Sequence, residues 1–268
     1  MSLCKPVYTG FFYGEIMTIK SEKTYSFSNF MLEVAKGNIP GHERWVGFAH
    51  NESVGTSLFT IWWPATAYTF PPSASVMKVS SSSASDTSAG TGARTIEIEG
   101  LDANFAEITE TVTLTGQTAV NTTNSFYRIN EVEVLTAGSG KTNAGNIYVG
   151  TGTVTAGVPA TIYGIAAAGY SHSFHGFYTV PANKKLYLHT LRVSSGTQKA
   201  TEVRLIQNPN TGVDHTHWDT HFFQDGLEET FRPPIVFEEK SDLEMRAKVD
   251  AGTAPISVNG EGILVDYS

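Results

Sequence analysis

The segment with the clearest chemical potential is DHTHWDTHF, at 214–222. Three histidines and an aspartate recur there at every second position: His215, His217, Asp219 and His221. On a β-strand this period places all four side chains on one face. Imidazole and carboxylate groups are suitable ligands for zinc, nickel or a similar divalent ion. Because same-face neighbours lie about 7 Å apart along a strand, one ion fits between only two of them.

Three interpretations of this segment stay open. The four residues form a metal site within one chain or across a symmetry axis, they are polar surface residues, or they make a pH-sensitive contact. Turn-forming residues at 208–212 favour a loop here. A cupin enzyme would need a glutamate soon after the second histidine, and that glutamate is missing. His172 and His175, in HSFH, are a further pair that could join such a site in space.

A second motif, AGSGKT at 137–142, matches the latter half of a nucleotide-binding P-loop. The full motif needs a glycine five residues before Gly140, where this chain has Leu135, and a helix after Thr142. Turn formers follow instead, and then residues that favour a strand. We therefore predict a hairpin-like loop between two strands, with no phosphate role for Lys141 and Thr142.

Two further candidates have ordinary structural interpretations beside the functional ones. Trp62 and Trp63 would suit a sugar-stacking platform, but paired tryptophans in a β-protein more often pack into the core and its edge. Asp102, Asn104 and Glu107 lie close together as in some calcium loops, yet their spacing favours a turn with Asx hydrogen bonds. We find neither a G-x-S-x-G elbow nor a distinct acid pair, so the sequence predicts a protein that is not an enzyme.

The composition argues against nucleic acid and membranes as partners. The 268-residue chain has a net charge of −8 and only 16% charged residues, without a basic run. Phosphate binding requires clustered Lys and Arg. No stretch approaches the roughly 18 apolar residues of a membrane span, and the first 20 residues are a poor signal peptide. With Cys4 as the only cysteine, we expect a soluble, disulfide-free protein made in a reducing compartment.

Short alternating segments separated by turn residues run through most of the chain and predict an all-β protein. In EITETVTLTG, for example, threonines alternate with Ile108 and Val112. Because the sequence has no alternating βαβ pattern, it does not predict the parallel-sheet core of an α/β enzyme. We expect a β-sandwich or jelly-roll-like fold with two β regions, preceded by an aromatic N-terminal arm that contains one short helix.

These patterns divide the chain into three predicted parts. They are an N-terminal arm at 1–45, a first β domain at 46–165 and a second, jelly-roll-like β domain at 166–268. Within the first domain, the serine-rich segment at 79–95 is predicted to be a long exposed loop.

The arm is rich in aromatic residues and contains the one good helical signal, FSNFMLEVAKGNIPG at 27–41. Ser28 is the predicted N-cap and Gly37 the predicted C-cap. Two roles for the arm stay open: it closes the bottom of the following domain, or it packs onto a neighbouring subunit.

Three long segments of the central region have distinctive sequences. They are GTGARTIEIEGLDANFAEITETVTLTGQTAV at 90–120, AGSGKTNAGNIYVGTG at 137–152 and YTVPANKKLYL at 178–188. These sequences resemble those of a group of virion structural proteins from tailed bacteriophages, marine phages among them. EVAKGNIPGH at 33–42 resembles the start of such proteins. The resemblance covers about residues 33–190, whereas the last 75 or so residues share only a β-sandwich-like pattern with these proteins.

The resemblance implies a non-enzymatic virion component that is made in the host cytoplasm. We expect a capsid decoration or cement protein that binds the major capsid protein or another virion protein as a homo-oligomer, with a trimer favoured. The alternative is a head-fibre, neck or tail-associated protein with a glycan-binding β-sandwich. A metal-dependent jelly-roll enzyme is the third hypothesis. The family supplies no catalytic residues and no cofactor, so a divalent metal remains a candidate only at the four residues of 215–221.

Overall fold

A computed structural model describes residues 27–63, 67–223 and 226–267, and it is all-β with one short helix, as predicted. The helix is α1 (Phe27–Ala35). The strands are β1 (His42–Val54), β2 (Phe59–Thr60), β3 (Ser75–Ser81), β4 (Ala93–Leu101), β5 (Glu107–Thr113), β6 (Val120–Phe126), β7 (Arg128–Ala137), β8 (Ile147–Thr155), β9 (Val158–Ala166), β10 (Phe177–Thr179), β11 (Lys184–Ser195), β12 (Ala200–Asn208), β13 (His215–Phe223), β14 (Gly226–Phe237), β15 (Asp242–Val249) and β16 (Ala254–Asp266).

Helix α1 confirms the helical signal of the arm. It begins one residue before the predicted cap, Ser28, within the usual scatter of helix boundaries. It ends at Ala35, and the predicted C-cap Gly37, with a φ of 72°, follows two residues later. The Gly37 N–H donates to the Val34 carbonyl, and the Asn38 N–H donates to the Glu33 carbonyl. The predictions for residues 1–26 lie outside the described residues. In the described part of the chain, no helix has the length and apolar character needed to cross a membrane.

The two ends of the described chain meet in the same pair of sheets. Sheet I has the strand order β1-β16-β11-β14, and sheet II has the order β10-β15-β12-β13 with β2 also on β15. All of these pairs are antiparallel. Buried residues of both sheets, such as Leu186, Phe237, Leu205 and Met245, form one hydrophobic core. Burial of these faces stabilises the pair of sheets.

Strands β2 and β10 occupy consecutive positions along the same edge of β15. Thr60 pairs with Arg246, and Phe177 pairs with Glu244. Between them, the Gly176 N–H bonds the Ile61 carbonyl at 2.7 Å. A Cβ at position 176 would collide with that carbonyl oxygen, so glycine is required there. The chain therefore leaves sheet II and returns to it at one point, and β2 and β10 act as one interrupted strand.

The segment 62–175, which we call the inserted module, forms two sheets of its own. Sheet III has the order β6-β3-β8-β9 and sheet IV the order β5-β4-β7. Their facing sides share a second core, which includes Met77, Ile96, Phe126 and Ile147. The predicted division at 46–165 differs from this arrangement, because β1 and β2 pair with strands that follow residue 176. Strand pairing between distant segments is not visible in local sequence patterns.

The four sheets are arranged as a propeller-like ring, so the all-β class is confirmed and the simple sandwich expected from the sequence is not. Sheets I and II share the first core, and sheets III and IV share the second. A smaller cluster, with Trp62, Tyr148, Ile165 and Phe177, joins sheets II and III. Sheets IV and I face each other across an open cleft, described below.

Candidate functional site

The predicted metal residues lie on β13, an edge strand that pairs with β12 in sheet II. The segment is a strand and not a loop. His215, His217, Asp219 and His221 are all exposed, while Trp218 packs partly against the core. The predicted loop is thus wrong, because the turn residues at 208–212 mark only the turn before the strand.

A β-bulge beside His217 divides the four predicted residues. The His217 ring nitrogen Nε2 lies 2.8 Å from Gln207 Oε1, and its ring centroid is 5.3 Å from that of Phe237. Burial, and to a lesser extent His215, lowers the pKa of His217. This histidine is therefore directed to a polar partner beside the core, away from Asp219 and His221.

Asp219 and His221 are joined by Glu202, a residue of β12 that the sequence did not indicate. Glu202 is the register partner of His221. One possible ligand atom from each of these three residues lies within 4.8 Å of the others. The three form the one such group found in the described residues. The sequence gives no signal for Glu202, because only the pairing of β12 with β13 brings it to the site.

Two basic side chains already pair with this acidic group. Arg204 lies 2.6 Å from Glu202 and 3.3 Å from Asp219, and Lys248 lies 2.9 Å from Glu202. Lys248 is the main cause of the lowered pKa of Glu202, against an opposing effect of burial. A divalent ion at this group would have to displace both cations. The metal hypothesis thus keeps two of its four residues, Asp219 and His221, and stays a prediction.

His172 and His175 lie at a different place, in a cleft between sheets I, II and IV. This acidic cleft has a volume of about 470 Å³ and is lined by the start of β1, the end of β4, the start of β5 and part of β7. Four glutamates border it: Glu43, Glu99, Glu107 and Glu131. The sequence did not predict the cleft, since its walls come from distant parts of the chain.

Three of the four cleft glutamates are in ion pairs with two basic side chains, and Arg44 is a further basic residue of the cleft lining. Lys184 Nζ lies 2.8 Å from both Glu43 and Glu107. His172 Nε2 lies 2.6 Å from Glu131, and this hydrogen bond raises the pKa of His172 and lowers that of Glu131.

Glu99 is the fourth glutamate of the cleft, and it has no ion pair with any described residue. Burial raises the pKa of Glu99, and the neighbouring carboxylates, Glu131 first among them, raise it further. Its cross-strand partner is Glu131, so two carboxylates stand directly opposite each other in sheet IV. This arrangement leaves a local excess of negative charge.

His175 forms a buried part of the cleft wall. Its side chain is 5% exposed and stacks on Phe177 at a centroid distance of 4.5 Å. The Ile165 N–H donates to Nε2 at 3.0 Å, which places the proton of the neutral ring on Nδ1. The backbone of Asn130 favours the charged ring, but no described group has hydrogen-bond geometry to Nδ1. Burial is the main reason that its pKa falls to about 4.

The P-loop-like segment folds around a carboxylate of its own chain. Its residues connect β7 and β8, which belong to different sheets, so the loop is not the predicted hairpin. The buried Asp86 accepts hydrogen bonds from the backbone N–H groups of Ala144 at 2.8 Å and Gly145 at 2.9 Å. Loop N–H groups that could have faced a phosphate therefore bind an internal anion.

The same aspartate corrects the prediction for the serine-rich segment. Ser80 and Ser81 lie buried in β3, and Asp86 is completely buried. Asp86 accepts hydrogen bonds from Ser81 Oγ at 2.5 Å and the Ala93 N–H at 2.7 Å. Low sequence complexity suggested an exposed loop, but small polar side chains here satisfy a buried carboxylate.

We expect Asp86→Asn to lower the free energy of unfolding by about 2–4 kcal/mol, because an amide group leaves buried donors without an acceptor. Urea denaturation monitored by tryptophan fluorescence measures the loss. Asp102→Asn is the matched control: Asp102 accepts the Asn104 and Ala106 N–H groups in an exposed Asx turn, a role that asparagine also fills. Equal stability of the two variants would contradict the role given to Asp86.

The remaining candidates have structural roles. Trp62 is buried in the cluster between sheets II and III, which removes it as a sugar-stacking platform. The hydrogen bonds of Asp102 confirm the predicted Asx turn between β4 and β5. Glu107, proposed with it as a calcium ligand, instead pairs with Lys184.

Comparisons with known proteins add no relative from which a site could be transferred. Neither the protein-family models nor the curated proteins give a significant match to this chain. The chain is thus assigned to a class, the all-β proteins, by its strands and sheets.

Proposed function

We propose that this protein is a structural component of a bacteriophage virion, a capsid decoration protein that binds the shell as a homo-oligomer. The strand order of sheets I and II carries this proposal. With β2 and β10 counted as one interrupted strand, β1-β16-β11-β14 faces β2/β10-β15-β12-β13. This order of eight strands supports a proposed jelly roll within the ring of sheets, and jelly rolls are the architecture of many viral capsid domains. Because jelly rolls also serve lectins and cupins, our choice of the virion role rests on the resemblance of residues 33–190 to phage virion proteins.

The chemistry of the described residues favours assembly over turnover. The P-loop-like segment is wrapped around Asp86. The group of Glu202, Asp219 and His221 is paired with two cations. Both features stabilise the fold, and neither leaves an open coordination position or an activated nucleophile.

The surface offers apolar side chains that an oligomer or a shell would cover. Phe223, at the end of edge strand β13, is 65% exposed, Val213 is 53% exposed and Leu32 of α1 is 51% exposed. Strands β1, β13 and β14 lie at sheet edges. Each pairs with another described strand on one side only, so the backbone N–H and C=O groups of the other side take no part in strand pairing there. With only 16% charged residues, such surfaces suit large contacts between subunits.

Light scattering coupled to size exclusion tests the proposal, first with the protein alone and then with purified phage shells that lack it. We expect a stable trimer that co-migrates with the shells. Deletion of residues 1–26 tests the arm and should weaken shell binding without unfolding the protein. The deletion ends there because α1 packs on β1 through Phe30 and His42, and β1 begins at His42. A deletion to residue 45 would remove part of sheet I.

A protein that ignores the shells would contradict the decoration role. The alternative is then a head-fibre, neck or tail-associated protein with a glycan ligand. An undiminished oligomer and undiminished shell binding after the deletion would contradict only the role of the arm.

A further inference from the structure

The first core is incompletely covered on the side where β13 and β14, the edge strands of sheets II and I, lie beside each other. Trp218 and Phe222 of β13 and Phe231 and Ile235 of β14 pack only partly against this core. The ring centroids of Trp218 and Phe231 are 6.4 Å apart, so these side chains bridge the two strands. Aromatic residues thus lie between two edges that pair with described strands on one side only.

The two edges differ in how they are protected from pairing with another chain. Strand β14 contains Arg232, Pro233 and Pro234, whereas β13 contains no proline, lysine or arginine. Prolines and basic side chains are common protection for an edge strand, and proline has no N–H to donate. The β-bulge at His217 affects only the first part of β13, and residues 218–223 keep a regular register with β12. These residues of β13 are therefore able to accept a further strand.

The sequence of β13 is complementary to itself in one antiparallel register. A twofold axis at Thr220 places Asp219 opposite His221 of a second copy, and Trp218 opposite Phe222 of that copy. Opposite-charge and aromatic pairs directly across from each other stabilise antiparallel strands. The axis generates each pair twice. This register also uses only the regular part of β13 for these contacts.

The neighbouring registers are less favourable. An axis at Asp219 places two aspartates directly opposite each other, which is destabilising. An axis at Trp218 extends the pairing into the bulge. Asp219 and His221 already contact Arg204 and Glu202, but these partners lie on β12, at the other edge of β13. Contacts to a second copy can be added to them.

We propose that β13 is a subunit interface, at which β13 of a second copy of this chain pairs antiparallel about a twofold axis at Thr220 and continues sheet II. The proposal names a surface for the homo-oligomer and rests on that part of the proposed function. A twofold contact alone gives a dimer, and together with the threefold contact of a trimer it gives a hexamer.

Disulfide cross-linking tests the register in the absence of shells. Cys4, the only cysteine of the chain, is first replaced by serine. Thr220→Cys should then give a disulfide-linked dimer under mild oxidation, because directly opposite Cα atoms are about 4.5–5.5 Å apart, within the range of disulfides. Thr216→Cys is the matched control on the same strand, since this register separates the two copies of position 216 by roughly 27 Å. Non-reducing gel electrophoresis measures the linked fraction.

A second pair of variants tests the interface without a new thiol. Phe223 ends β13 and is 65% exposed, so Phe223→Lys should leave the protein folded and weaken self-association roughly tenfold. Leu32→Lys is the control, because Leu32 is 51% exposed on α1, which packs on β1 at the opposite edge of sheet I. Light scattering over a range of concentrations measures the association, and circular dichroism verifies the fold of every variant.

The proposal is overturned if Thr220→Cys gives no linked dimer, if both cysteine variants link equally, or if both lysine variants weaken association equally. A protein that binds shells but fails these tests would keep the decoration role and lose only the β13 interface. A protein that passes them but ignores the shells would keep the interface and lose the decoration role.

Discussion

Replacing Arg128 with methionine should lower the free energy of unfolding by about 3–5 kcal/mol, the cost of leaving one member of a buried ion pair uncompensated. Arg128 and Asp242 are 3% and 4% exposed. The arginine Nε and Nη2 atoms lie 2.9 and 3.0 Å from the two carboxylate oxygens of Asp242. Because Arg128 belongs to the inserted module and Asp242 to sheet II, the loss falls on the contact between them.

The surroundings of Arg128 explain why the effect is expected to be large. Its guanidinium also donates to the carbonyl oxygens of Pro71 at 3.2 Å and Tyr127 at 3.0 Å, and to Asn210 at 2.9 Å. It lies 4.1 Å from the ring centroid of Tyr127. Methionine matches the aliphatic stem but satisfies none of these acceptors.

Two further variants separate the buried pair from a general effect of charge. Arg128→Met combined with Asp242→Leu should recover most of the stability, because neither buried charge is then left alone. Arg192→Met should change stability little, since Arg192 pairs with Glu228 and Glu261 on the exposed face of sheet I. Urea denaturation measures all three. An Arg128 variant as stable as the Arg192 variant would refute the assignment.

His175 should make the protein lose stability in mild acid. Its pKa falls from 6.5 to about 4 in the folded state because of burial. Above pH 6.5 the ring is neutral in both states. Below that pH the unfolded chain takes up the proton first, so stability declines as pH falls from 6.5 to 4, by about 3 kcal/mol.

Other groups change in or near this range, so the prediction concerns a difference between variants. The pKa of His172 is raised, so its pairing with Glu131 stabilises the protein below pH 6.5 and is lost as pH rises through the folded pKa. The pKa of Glu131 is lowered, so its contribution disappears only as pH falls through that lower value. His217 and His189 have lowered pKa values and act in the same direction as His175.

His175→Gln should therefore flatten the decline in stability between pH 7 and pH 4.5, whatever its stability at pH 7. His215→Gln, which changes an exposed histidine, should alter the slope much less, since His215 acts only through its minor effect on the pKa of His217. Urea denaturation at a series of pH values gives the slopes. An unchanged slope for the His175 variant would show that another group causes the acid sensitivity.

The parts of the fold that the sequence predicted are those set by local chemistry. Alternation identified β5, the cap glycine at 37 identified the end of α1, and Asp102 identified its turn. In each case the deciding interactions lie within a few residues.

The parts that it missed depend on register between distant strands. Glu202 reaches His221 only through the pairing of β12 with β13. Arg128 meets Asp242 only because the inserted module packs beside β15. The low complexity of residues 79–95 suggested an exposed loop, although the N–H groups of Ala144 and Gly145 bind the buried Asp86 of that segment. Single-residue preferences contain no information about such partners.

The position of the inserted module between β2 and β10 also determines the order in which the sheets can form during synthesis. The strands of the inserted module end at Ala166, so sheets III and IV can form while the later strands are still being synthesised. Sheet I must wait, because β16 lies between β1 and β11 and follows all the other described strands in the chain. Until then the edge of β1 that β16 later covers is open to other chains. We therefore expect misassembly mainly after the inserted module has been synthesised and before β16 pairs with β1.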